Sequence, residues 1–103
     1  MRAILFPPSQ PQRPVQATGF TMPDPVTGVV RVPPQAAELL ECAHSLVDVL
    51  ASGPDYVAFS IFDFEGEVNL AAMEAVAEIS GHDFDAADED QTLAGPVLII
   101  YES

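Results

Sequence analysis

The chain has 103 residues, 49 % of them apolar, with 16 acids, three arginines and no lysine, for a net charge of −13. That size fits one domain spanning residues 1–103, large enough to bury a core and small enough to be only marginally stable. The charge argues against direct nucleic-acid binding, which needs Lys and Arg for phosphate contacts, and against docking to an anionic membrane.

In chain order, Arg2 to Phe6 reads as a short strand. Its apolar run is too short for a signal-peptide core and ends at Pro7-Pro8. Residues 7–34 hold eight of the ten prolines. Proline fixes φ and removes a donor, so this stretch is predicted to be an extended, Pro-rich arm with no long helix or central strand. Two short β pieces, Gly19 to Met22 and Val29 to Val32, flank turn chemistry at Pro23-Asp24-Pro25-Val26-Thr27-Gly28 and suggest a small hairpin.

A first helix is predicted from Pro34 or Gln35 to Ser52. Ala36, Leu39, Leu40, Ala43, Leu46, Val47 and Leu50 follow helical spacing, and Gly53-Pro54 reads as its stop. On it Glu38, Glu41, Ser45, Asp48 and Ser52 would form one polar stripe. Tyr56 to Phe62 reads as a strand, with Val57, Phe59 and Ile61 on the face toward the helices. A second helix is predicted from Asn69 to Ser80, capped by Asn69 and closed by Gly81, with Leu70, Met73, Val76 and Ala77 buried. Residues 82–96 read as a loop and Val97 to Tyr101 as a buried strand. The expected fold class is α+β: a small, mostly antiparallel sheet of three to five strands with both helices packed on one face.

Chemistry-bearing motifs are scarce. The single cysteine, Cys42, excludes an internal disulfide and a cysteine zinc cluster within the chain, and suits a reducing, cytoplasmic setting. Cys42 and His44 point about 160° apart on a helix, so they are no local nucleophile–base pair. His82, after Gly81, suits a helix C-terminus. The acidic run Asp83 to Asp90 fits no EF-hand register, because no start puts Gly at the sixth position and Glu at the twelfth. No lysine means no phosphate loop and no Schiff base. No serine sits in a nucleophile elbow. Pro8 to Pro11 and Pro11 to Pro14 match a PxxP spacing. No catalytic residue, metal ligand or cofactor site is expected.

Charge layout is what points to a function. Before Gln35 the only acid is Asp24, set against Arg2, Arg13 and Arg31, whereas residues 35–103 carry fifteen acids and no Lys or Arg. Such a field steers association with cationic surfaces. The profile of size, charge and missing lysine resembles that of the small acidic nucleic-acid mimics that phages use against restriction, CRISPR surveillance complexes or host polymerase. The resemblance is one of composition and carries over no functional residue.

It implies a non-enzymatic inhibitor occupying a basic, nucleic-acid-binding surface of a partner protein, in the host cytoplasm if phage-encoded. Candidate contacts are Asp83, Asp85, Asp88, Glu89 and Asp90, then Asp63, Glu65, Glu67, Glu74 and Glu78, with Phe84 as an apolar anchor. The alternatives are an antitoxin-like immunity protein, and an assembly or virion subunit acting through the Pro-rich arm and a sheet edge.

Overall fold

A computed structural model describes residues 1–62, 64, 66–81 and 93–102. Five strands form one antiparallel sheet: β1 (Arg2–Phe6), β2 (Arg13–Val15), β3 (Val47–Gly53), β4 (Tyr56–Ile61) and β5 (Val97–Tyr101), in the order β2-β1-β5-β4-β3. Two helices accompany it, α1 (Pro34–Leu40) and α2 (Leu70–Ser80). The α+β class and the antiparallel sheet match the sequence expectation.

β5 takes the central position because its run Val97–Ile100 is apolar on both faces, and all four residues are buried. Period-two alternation then sorts the core into two layers. Ala3, Leu5, Val57, Phe59, Leu98 and Ile100 face Ala36 and Leu40 of α1. Phe6, Ala58, Val97 and Ile99 face Ala72, Met73 and Val76 of α2. The helices therefore lie on opposite faces of the sheet, which corrects the expectation that both pack on one. A central strand with two apolar faces needs a cover on each, and one helix supplies each cover.

The first helix is seven residues long and does not reach Ser52. It ends at Glu41, which is left-handed (φ 59°, ψ 46°). The Cys42 N–H donates to Ala37 O at 3.1 Å, and the Glu41 N–H to Glu38 O at 3.2 Å. That is a Schellman stop with glutamate where glycine is usual. A 3-10 turn, His44–Leu46, follows and delivers the chain into β3. Val47 and Val49 of β3 join the α1-side core, so tertiary pairing with β4 overrides the helical spacing of Leu46, Val47 and Leu50. Gly53-Pro54 is accordingly a hairpin feature: Gly53 pairs with Tyr56 across a turn of Pro54 and Asp55.

Glu41→Gly is expected to stabilise the protein by about 1 kcal/mol, by removing left-handed strain and a negative charge at a helix C-terminus. Thermal or urea melts check this. A loss of stability would mean that the glutamate side chain contributes a contact that outweighs both effects.

The Pro-rich arm is more ordered than its composition suggests. Arg13–Val15 pairs with β1 as an edge strand, a place that tolerates Pro14. The predicted pieces at 19–22 and 29–32 form no strands, although the turn between them is real. Asp24 Oδ1 accepts the N–H groups of Val26 (2.8 Å) and Thr27 (2.9 Å). These bonds, Thr27's first, hold the Asp24 carboxyl below the usual carboxylate range. Phe20, Met22, Val30 and Val32 from this segment pack on the α1-side core. At the other edge no strand among the described residues pairs with the outer side of β3, which carries exposed Asp48 and a register shift between Val49 and Ala51.

Candidate functional site

α2 begins where a buried asparagine ties three chain segments together. Asn69 is 1 % exposed. Its Nδ2 donates to Phe6 O at 2.7 Å and to Gly95 O at 2.8 Å. Its Oδ1 accepts the Ala72 N–H at 3.1 Å, the expected N-cap bond. Its own N–H donates to Leu93 O at 2.8 Å. Every side-chain donor and acceptor function is used, which is what burial of an amide requires. The far end closes on Gly81 in a left-handed conformation, as expected, with its N–H donating to Ala77 O. Described residues thus place Gly81 at one end of α2 and Leu93 back at the other. The sequence joining them carries Asp83, Asp85, Asp88, Glu89 and Asp90.

The buried side of α2 is Ala72, Met73 and Val76, with Ala77 half-buried. Leu70, expected in the buried stripe, is instead 62 % exposed. At 100° per residue it sits about 115° from the centre of that stripe and shares the outer side with Glu74 and Glu78. Both glutamates are exposed, as expected. Glu67 is exposed and accepts a hydrogen bond from Ser9 Oγ of the Pro-rich arm. Asp63, Glu65, Phe84 and the five acids from Asp83 to Asp90 lie outside the described residues.

All nine described acids, Asp24, Glu38, Glu41, Asp48, Asp55, Glu67, Glu74, Glu78 and Glu102, are exposed. They do not form the single array that one long first helix would have given. Glu38 and Glu41 belong to α1 and its stop, on one side of the sheet. Asp48 is on β3, and Glu74 and Glu78 are on the opposite helix.

The arginines are partitioned too. Arg13 pairs across from Leu5, so it shares the α1 side, and Arg31 lies in the segment leading into α1. Only Arg2 alternates with Ile4 and Phe6 toward the α2 side, where its guanidinium lies 4.6 Å from the Tyr101 ring centroid. Burial pushes the Tyr101 hydroxyl up, opposed by the Arg2 charge and reinforced by Glu78. Two of the three arginines therefore sit with α1, and Arg2 alone sits with α2.

The remaining chemistry-bearing groups behave as structural residues. Cys42 is half-buried against the α1-side core, and burial pushes its thiol up, away from the reactive thiolate. His44 Nε2 donates to Val32 O at 3.0 Å, joining the 3-10 turn to the segment before α1. Among the described residues no three His, Cys, Asp or Glu side chains come together as a metal-binding group, and no helix is long and apolar enough to cross a membrane.

Exposed apolar side chains were the feature that sequence reading missed. Phe62 and Leu70 are 63 % and 62 % exposed. For Leu70 a signal existed: an N-cap at Asn69 makes it the first helical residue, on the side of Glu74. Comparison with protein-family models, with curated proteins and with solved structures returns no match.

Proposed function

We propose that the chain is a non-enzymatic acidic binding protein that occupies a basic, nucleic-acid-binding surface of a partner protein, as an inhibitor would. The observation that supports this most is the uneven placement of the arginines across the sheet. Two of three arginines go with α1, while Glu74 and Glu78 lie exposed on α2. A field of one sign on one side orients a protein as it approaches a cationic surface.

The assembly alternative draws on the outer edge of β3, which no strand among the described residues covers. Residues 13–15 of the arm that it also invoked are paired within the chain's own sheet.

Affinity capture from a lysate tests the proposal. Retained proteins are expected to be basic nucleic-acid binders, released between about 50 mM and 500 mM salt as screening shortens from roughly 14 Å to 4 Å. Added DNA or RNA is expected to displace them at low salt. Retention that is indifferent to both salt and nucleic acid would sink the reading.

A further inference from the structure

The α2 side carries an apolar feature as well as charge. A groove of about 340 Å³ separates the Pro7–Pro11 loop from the first turn of α2. Pro7, Pro11, Val68 and Leu70 line it, and Val68 and Leu70 are 40 % and 62 % exposed. Leading away from it along α2 are Glu74 and Glu78, each about 6 Å further along the helix axis. One apolar seat followed by two carboxylates at one-turn intervals is the complement of a helix with the reverse pattern.

We infer that this surface docks a cationic amphipathic helix of the partner, with one apolar side chain in the groove and Lys or Arg one and two turns away against Glu74 and Glu78. The inference rests on the binding reading above and specifies its contact. Charge complementarity selects the occupant. An acidic or neutral helix would leave the two glutamates unpaired or repelled, and a second copy of this chain would set −13 against −13. A cationic helix is also what many nucleic-acid-binding proteins insert into a groove. Polar pairs at the rim then set approach and orientation, and the apolar anchor slows departure.

Alanine-based helical peptides test this on the full chain. The probe carries two lysines four residues apart and a leucine four residues beyond, in either order along the peptide. One control replaces that leucine with serine at unchanged charge, and another replaces the lysines with glutamates. The leucine peptide is expected to bind on the order of tenfold more tightly than the serine control, the effect of burying one apolar side chain. Leu70→Ser is expected to erase that difference while leaving the circular dichroism and the melt unchanged. The double variant E74Q/E78Q is expected to weaken both cationic peptides and flatten their salt dependence.

If both cationic peptides bind equally, with a steep salt dependence and no response to Leu70→Ser, the docking inference falls and the acidic-binder reading stands. If no cationic peptide binds at low salt, both fall.

Discussion

Phe59→Ala is expected to lower the unfolding free energy by about 3–5 kcal/mol. Phe59 is 1 % exposed and sits in β4 opposite both Val49 and Leu98, under α1. Its ring centroid lies 6.0 Å from that of Phe20, tilted by 41°. Truncation therefore removes the centre of the α1-side core and the partner that holds the 16–33 segment down. A domain of this size is stable by roughly 5–15 kcal/mol, so the loss consumes a large part of the total. Phe59→Leu, which nearly conserves volume, is expected to cost less than about 1.5 kcal/mol. Urea unfolding followed by circular dichroism measures both. Equal costs for the two variants would mean that this face is not closely packed.

Asn69→Asp is expected to cost about 3 kcal/mol at neutral pH, by burying a charge and turning an oxygen toward two carbonyls that now accept from Nδ2. The acceptor for the Ala72 N–H survives the change, so the penalty belongs to the lost donor and the buried charge and not to the cap. The pH dependence separates them. Burial and the Phe6 and Gly95 carbonyls raise the new carboxyl's pKa in the folded state above its unfolded value near 3.9. The folded state then holds the proton more tightly, so stability is lost as pH rises through the folded pKa and regained below it. The gap to the parent protein should shrink from pH 7 toward pH 4. Asn69→Ala, which has no such titration, should show a gap that pH leaves unchanged. A pH-independent gap for Asn69→Asp would show that the site admits water and that the amide is not the pin described above.

Four of the five strands and helices with strong local signals were legible from the sequence, and the fifth was cut short. β1, β4, α2 and β5 begin and end within about a residue of expectation, because each couples a pattern to a boundary: prolines after Phe6, Asn69 and Gly81 around α2, Gly95-Pro96 before β5. The first helix was overextended because its stop is a left-handed glutamate, and the segment beyond it satisfies both helical spacing and β-propensity. Only pairing with β4 decides between the two. β2 was unreadable as a strand because its Pro14 removes the usual signal, and only its edge position makes that acceptable.

Of the candidate site, exposure of Glu67, Glu74 and Glu78 was legible, since charge on the outer side of an amphipathic helix seeks water. Their separation from Glu38 and Glu41 was not. Which face a helix covers depends on the sheet's strand order, and no local pattern encodes that order. Helical spacing alone counts Leu70 into the buried stripe, because it ignores which flank of the stripe each apolar residue occupies.

The position of β5 carries a consequence for how the chain comes into being. Both of its neighbours, β1 and β4, are synthesised earlier, and the strand between them is the last of the five. On the ribosome the β1–β2 and β3–β4 hairpins can each close locally, yet neither α1 nor α2 has a finished sheet to cover. Until Val97–Tyr101 emerges, the nascent chain is two ribbons with facing open edges. Assembly is therefore a single late event with long-range closure, and any product released before residue 97 keeps the edges that the last strand would have filled.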